Sequence, residues 1–373
     1  MLRVLRILIP IIATALAIGG GEALLRWGGW GGAAVELHAQ MLRHDPQLGW
    51  RKQPSARVTY RWQGHAVTET SDERGARGAR GSRTLDDASK PVVLFLGDSF
   101  CEGYLVNDDE VFSAVLKSES LRTINQGVAG YSTDQELLLF REVAEEYKPS
   151  ATVLLFFDND VWFNAQATEY RSAKPYFKLV DGELVLGGVP VAAPDASIAA
   201  SPAAERPREW RLASLLKGVA RRMEAPGASG PLEPVNEFLV YRRQQPESIA
   251  KAWQLTEELV LQLQDEAEAA GSEFVVFYVP TVAAVDDDAW EQTKRLYGMA
   301  DTEWNIREVE HNLAEFCARE DVPLILPTER FRQETAAGKT LYYMQDGHWN
   351  PEGHRLAAEL IAEYLSSRGI RLQ

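Results

Sequence analysis

The sequence is poor in cysteine and has no excess of basic residues. Cys101 and Cys317 are the only cysteines in 373 residues, which excludes a disulfide framework and a zinc-type cysteine cluster. The two thiols could pair in an oxidising compartment, but we expect two buried free thiols. Lys and Arg total 39 against 54 Asp and Glu, for a net charge of −15. Because nucleic-acid binding needs basic side chains that neutralise phosphates, we predict no nucleic-acid partner.

A long apolar run without charge occurs at the N-terminus. Ile7–Gly21 follows Arg3 and Arg6. As a helix it would reach roughly 22 Å, short of the ~30 Å hydrocarbon core unless neighbouring leucines contribute. Residues 1–30 therefore predict an export signal, either a cleaved signal peptide or an uncleaved anchor. We favour an inner-membrane anchor with the remainder on the extracytoplasmic, periplasmic side; a buried helix of a cytoplasmic protein is the alternative.

Two stretches of the sequence lack the periodic spacing of apolar residues that is typical of helices. Residues 31–90 are predicted as a lead-in, with a short hairpin in residues 56–70 where polar and apolar side chains alternate. Residues 165–245 contain Ala-, Pro-, Gly- and Ser-rich loops and a hairpin that turns at Asp181-Gly182. We interpret the second stretch as an insertion that borders the site.

The remaining chain alternates short apolar runs with amphipathic helices. This pattern covers residues 91–164 and resumes over residues 246–373. Continuous apolar runs are typical of strands that are buried on both faces of a parallel sheet. The two segments together predict an α/β fold, a three-layer α/β/α sandwich with a mostly parallel, flavodoxin-like central sheet.

Polar residues follow three of the predicted strands. They are Gly97-Asp98-Ser99, Asn125 to Gly130, and Asp158-Asn159-Asp160. Because ligands of open α/β sheets bind beyond the carboxyl ends of the strands, we expect these segments to converge on one rim. The segment Asp346 to Trp349 precedes the last predicted helix, which Asn350 caps, and it can reach the same rim.

These residue types are those that nucleophilic catalysis needs. A serine hydroxyl is a weak nucleophile unless a base takes its proton, and the base needs an orienting group on its other ring nitrogen. His348 and Asp346 can supply both to Ser99. If residues 346–348 are extended, side chains two apart point to the same side, which would bring Asp346 to the imidazole.

An oxyanion formed by attack on a carbonyl needs fixed hydrogen-bond donors. The candidates are the backbone N–H groups of Ser99 and Gly130 and the side-chain amide of Asn159. Asp98 is assigned a supporting role at the turn. No cofactor or metal is required; Asp158 and Asp160 could bind a cation, but two carboxylates without further oxygen ligands are weak evidence for a metal site.

The four segments resemble, in order, the blocks of the SGNH (GDSL-type) hydrolase family. The matching motifs are GDSF at Ser99, NQGVAG, DND at Asn159, and DGHW with Asp346 and His348, over residues 91–373. By its spacing from the preceding Asn, the resemblance assigns the oxyanion glycine to Gly130 rather than Gly127. It implies a serine esterase or acyltransferase on an α/β/α scaffold, with no cofactor.

The last motif departs from the usual family spacing. Asp346 and His348 are two apart and are followed by Trp349, a D-x-H-W form similar to the branch of membrane-associated polysaccharide O-acetyltransferases. That resemblance implies an acyl group, in the first place O-acetyl, on an extracytoplasmic glycan or another ester-bearing molecule. It leaves hydrolysis and transfer open. A catalytically inactive glycan-binding or assembly protein on the same scaffold is the alternative.

Other readings of these residues fit less well. An α/β-hydrolase nucleophile elbow requires G-x-S-x-G, and Cys101 occupies the place of the second glycine. GDS alone could be a structural turn after a strand. His311 and His354 fall within predicted helices, where a packed or solvated role is expected, and Trp349 is expected to pack in the core.

Overall fold

A computed structural model describes residues 39–62, 64–78, 90–116, 121–169, 172–193, 234 and 236–370. The predicted N-terminal anchor lies outside these residues. None of the helices in the described ranges has the length and apolar character needed to cross a membrane. The chain divides into two compact units. The hairpin residues Val58–Thr68 belong to the smaller unit, and the sheet and site described below belong to the larger one.

Thirteen strands occur within the described residues. They are β1 (Leu42–Asp45), β2 (Gly49–Lys52), β3 (Arg57–Trp62), β4 (His65–Thr70), β5 (Val92–Gly97), β6 (Arg122–Asn125), β7 (Ala151–Phe157), β8 (Thr168–Glu169), β9 (Ser172–Ala173), β10 (Tyr176–Val180), β11 (Glu183–Gly187), β12 (Glu273–Val279) and β13 (Leu324–Ile325).

The α-helices of the same ranges are α1 (Ser99–Glu102), α2 (Phe112–Leu116), α3 (Thr133–Tyr147), α4 (Asn159–Asn164), α5 (Glu247–Ala269), α6 (Val282–Val285), α7 (Asp287–Tyr297), α8 (Glu308–Arg319), α9 (Thr328–Ala336) and α10 (Pro351–Ser367). A 3-10 helix over Asn236–Tyr241 lies within the predicted insertion.

The central sheet has five strands in the order β13-β12-β7-β5-β6, and every neighbouring pair is parallel. The chain runs from β5 to β6 on one side and then returns to β7 on the other. The crevice at the carboxyl ends of β5 and β7 is therefore a topological switch point, where ligands of such sheets bind. Gly97 pairs with Leu155 at this end of the sheet.

Both faces of the sheet are buried under helices. All six residues of β5 are buried, and alternate ones belong to different core clusters. Leu94 packs in the cluster that contains Leu259 of α5, whereas Phe95 packs in the cluster that contains Ile361 of α10. This alternation explains why β5 reads as an unbroken apolar run. The predicted α/β fold with a parallel central sheet is confirmed.

Both predicted hairpins are present, as β3–β4 and β10–β11. Asp181 and Gly182 have φ values of 53° and 84°, as a two-residue type I′ turn requires. Both cysteines are buried free thiols, as expected. Parts of the lead-in join the larger unit, including β1 and β2, which sequence patterns did not indicate.

Candidate active site

Ser99 begins the short helix α1 directly after β5. The turn is held by Asp98, whose Oδ1 accepts a hydrogen bond from the backbone N–H of Phe100 at 2.8 Å. Asp98 is buried, and burial raises the pKa of its carboxyl to about 6, although the Phe100 N–H opposes this shift. The sheet thus delivers Ser99 to the switch point through a capped turn.

Asp346 and His348 lie on a tight turn before α10, so the premise of an extended segment is wrong. The N–H of Gly347 donates to the carbonyl of Tyr343 at 2.7 Å, and the N–H of Tyr343 donates to the carbonyl of His348 at 2.8 Å. Gly347 has a φ of 94°, which a residue with a side chain adopts only at a cost. The turn still brings the carboxylate to the imidazole.

The structure brings Ser99, His348 and Asp346 into one hydrogen-bonded chain. His348 Nε2 lies 2.8 Å from Ser99 Oγ, and His348 Nδ1 makes a short hydrogen bond to Asp346 Oδ1. The side chains of Asp346 and His348 are each 21% exposed. Asp98 Oδ2 is a more distant acceptor for the same hydroxyl, at 3.4 Å. Of these two neighbours, His348 Nε2 is the nearer to the Ser99 hydroxyl.

These three residues line a cavity of about 480 Å³. Its lining is rich in aromatic and aliphatic side chains, namely Phe100, Phe157, Phe163, Phe238, Val240, Tyr241, Val282, Trp290 and Ile306. The residues of the 3-10 helix in this list come from the predicted insertion. A reacting ester could therefore meet Ser99 against a largely apolar wall.

Asn159 lines this cavity, whereas Gly130 is absent from the lining that the described residues form. The peptide that carries the Gly130 N–H is nevertheless fixed. Trp50 Nε1 donates to the Ala129 carbonyl at 3.0 Å, and the Ala129 N–H donates to Glu102 Oε2 at 2.6 Å. Glu102 also pairs with Lys52 at 3.3 Å, and both side chains are at most 1% exposed. Sequence patterns gave no signal for Trp50, Lys52 or Glu102 as supports.

Asp158, which precedes Asn159, binds two tyrosine hydroxyls. Tyr278 donates to Oδ1 at 2.7 Å, and Tyr241 donates to Oδ2 at 2.9 Å. Burial raises the pKa of Asp158 to about 7, and the two hydroxyls moderate the shift. The carboxyl joins the end of β7 to β12 and to the 3-10 helix, a link that spacing along the chain could not reveal.

Three further carboxyl groups are buried near Asp98. Glu136 and Glu169 have no hydrogen-bond partner on either side-chain oxygen within the described chain, and Asp160 has none on Oδ1. Burial raises the pKa of all three. The nearby buried Lys174 makes a short ion pair with Asp134.

The other candidates play structural parts. No group of three or more Asp, Glu, His or Cys side chains that could hold a metal ion occurs among the described residues, Asp158 and Asp160 included. Trp349 is fully buried and packs against Phe100 and Phe331. His354 is buried in the core, where burial lowers its pKa to about 3, so it packs as expected.

Comparison with known families supports the resemblance predicted from the motifs. Residues 237–372 match a family model described as "SGNH hydrolase-like domain, acetyltransferase AlgX". The match includes Asp346 and His348, whereas Ser99 and Asn159 precede it. The predicted resemblance to SGNH proteins is confirmed. No protein of curated function matches the sequence.

Solved structures similar to this chain include GDSL-type proteins and esterases. A lipolytic protein of the G-D-S-L family from Veillonella parvula is 12% identical and covers 74% of this chain and 98% of its own, with a TM-score of 0.37. The acetyl xylan esterase AlAXEase is 11% identical and covers 74% and 99%, with a TM-score of 0.41. A lipase/acylhydrolase from Enterococcus faecalis is 14% identical and covers 74% and 96%, with a TM-score of 0.38.

Proposed function

We propose that the protein is an SGNH-type serine enzyme that hydrolyses or transfers the O-acyl groups, in the first place O-acetyl groups, of a glycan. The observation that carries the proposal is the 2.8 Å separation of His348 Nε2 from Ser99 Oγ, with Asp346 on the opposite ring nitrogen. Each member has the partner that its role requires: a base for the nucleophile and a carboxylate for the base.

Ser99 Oγ attacks the ester carbonyl while His348 Nε2 takes the hydroxyl proton. The C–O bond of the leaving alcohol then breaks, and His348 returns the proton to that oxygen. Asp346 holds the imidazole with Nε2 free to accept, and it stabilises the imidazolium. The transient oxyanion accepts hydrogen bonds from the N–H groups of Ser99 and Gly130 and from the Asn159 amide. The acyl-Ser99 intermediate then passes its acyl group to water or to a sugar hydroxyl.

One observation supports an O-acetyl group, and a second supports a sugar, as parts of the substrate. The family model that matches residues 237–372 is that of an acetyltransferase domain. The cavity wall also offers the rings of Phe157, Phe238 and Trp290, and aromatic side chains suit the apolar faces of sugars and acyl chains. Hydrolysis and transfer share the acyl-enzyme and differ only in whether water or a sugar hydroxyl accepts the acyl group.

The proposed location is the extracytoplasmic face of the inner membrane. Support comes from Arg3 and Arg6 ahead of the uncharged segment Ile7–Gly21. A fusion of the C-terminus to a periplasm-dependent reporter enzyme should be active in membrane fractions, and should lose activity when Ile7–Gly21 is deleted. Reporter activity that persists after deletion of that segment would contradict the proposed location.

The decisive test is detection of a covalent acyl adduct on Ser99. After incubation with p-nitrophenyl acetate, intact-mass spectrometry should detect one acetyl adduct, and peptide mapping should place it on Ser99. Ser99→Ala should abolish the adduct and labelling by a fluorophosphonate probe, while the matched exposed-serine variant Ser172→Ala should retain both. A folded protein whose Ser99 never acquires an adduct would contradict the enzyme and favour the inactive glycan-binding alternative.

A further inference from the structure

The ionisable side chains around the cavity are strongly biased in sign. Its lining includes the carboxyl groups of Asp98, Asp158, Glu237 and Asp346, and within the described chain it includes no Lys or Arg. Glu237 is exposed, so it lies where the cavity opens to solvent. Asp98 and Asp158 are buried beside Ser99 and Asn159, whereas Asp346 is exposed and bonds to His348.

The nearest arginines along the chain are engaged elsewhere. Arg242 follows the lining residue Tyr241, but its Nη1 lies 2.8 Å from Glu303 and its guanidinium stacks on Trp304. Arg307 follows the lining residue Ile306, but it pairs with Glu310 at 2.8 Å. Neither guanidinium is therefore free to offset the carboxylates of the cavity.

Three further carboxyl groups are buried near Asp98, and burial raises the pKa of each, which favours its neutral, protonated form. Glu136, Asp160 and Glu169 are buried, and the buried cation near them, Lys174, is paired with Asp134. Burial also raises the pKa of Asp158 to about 7, so the negative charge that a ligand meets comes from the other carboxylates of the lining, Asp98, Glu237 and Asp346.

We propose that this cavity accepts uncharged or cationic acyl esters and rejects anionic ones, and that Glu237 sets this preference at the cavity mouth. The inference rests on the proposed function, because it concerns which esters reach Ser99. At roughly 8 Å and an effective dielectric constant near 20, two like charges repel enough to change binding by about tenfold or more. A glycan acceptor or donor would accordingly carry neutral or amino sugars at the reacting unit rather than acidic ones.

The test uses three phenyl acetates that differ only in a meta substituent: carboxylate, methyl carboxylate ester or trimethylammonium. All three deliver the same acetyl group to Ser99, and each enzymatic rate is divided by that ester's own alkaline hydrolysis rate. We expect kcat/KM for the anion to be at least about tenfold below that for its methyl ester, mainly through KM. The gap should shrink as NaCl is raised, because salt screens the repulsion.

Variants assign the effect to one residue. Glu237→Gln should narrow the gap, and Glu237→Lys should narrow it further or reverse it. Glu183→Gln, which removes an exposed carboxylate of β11 that is not part of the cavity lining, should leave it unchanged. Turnover of the anion within about twofold of its methyl ester, or a gap that Glu237→Lys does not change, would overturn the inference. Absence of turnover for all three esters would instead contradict the proposed function.

Discussion

Ser99 and His348 reach the same cavity from regions that are anchored in different ways. The Ser99 region is held by buried polar contacts: Asp98 caps the turn, and Glu102 fixes the neighbouring loop while paired with Lys52. The His348 region is a partly exposed turn before α10. The rings of Phe100 and Tyr104 lie 4.7 Å and 5.0 Å from the imidazole ring, measured between centroids.

The difference has a physical consequence. The contribution of a buried ionisable group to folding stability changes when the group gains or loses a proton. Removal of its hydrogen-bond or ion-pair partner is also strongly destabilising. Ring packing depends on shape. We therefore expect the stability of the Ser99 region to depend on pH and on single polar substitutions, and the position of the His348 imidazole to depend on the shapes of the rings around it.

The largest expected effect tests whether the two regions form one unit. Ser99→Ala and His348→Ala should each lower kcat for p-nitrophenyl acetate by on the order of 10⁴-fold, because neither residue activates the ester alone. The double variant should be no slower than either single variant. Losses that multiply in the double variant would show that the two residues act separately, and thermal unfolding of all three would verify that the fold is intact.

The fold and the meeting of Ser99, Asp346 and His348 could be predicted from sequence because their signals are local. β5 is an apolar run that ends in GDS, and DGHW stands directly before a capped helix. The supports could not be predicted in this way. Asp158 and Tyr278 are 120 positions apart, and Trp50 and Ala129 are 79 apart, so only the folded sheet shows that they meet. The extended geometry assumed for residues 346–348 was wrong because Gly347 permits a left-handed turn.

The next largest effect concerns the pH dependence of stability. Burial raises the pKa of Asp158 to about 7, so the folded state holds a proton that the unfolded chain releases near the ordinary aspartate pKa of 3.8. This group's contribution to the free energy of unfolding therefore falls as pH rises from about 4 to 7 and is constant above that. Asp158→Asn should remove this slope, and its stability relative to the parent should rise by up to about 4 kcal/mol across the window.

Urea unfolding at a series of pH values measures this difference. Asp265→Asn, an exposed change on α5, is the matched control and should unfold in parallel with the parent at every pH. Because Glu136 and Asp160 are present in all three proteins, their own titrations cancel in the comparison. If Asp158→Asn and the parent also run parallel from pH 4 to 8, Asp158 is not the carboxyl that holds the proton.

The smallest effect tests the support of the Gly130 peptide. Trp50→Phe keeps an aromatic ring but removes the donor to the Ala129 carbonyl, so the N–H of Gly130 should lose its fixed direction. Removal of a whole oxyanion donor costs about 10²–10³ in kcat, and misdirection of one should cost less, about tenfold, with KM nearly unchanged. Trp253→Phe is a matched control, because Trp253 is buried and its Nε1 has no hydrogen-bond partner within the described chain. An equal fall in kcat for both variants would mean that tryptophan packing, and not the hydrogen bond, supports the site. An unchanged kcat in Trp50→Phe would remove Gly130 from the proposed oxyanion donors.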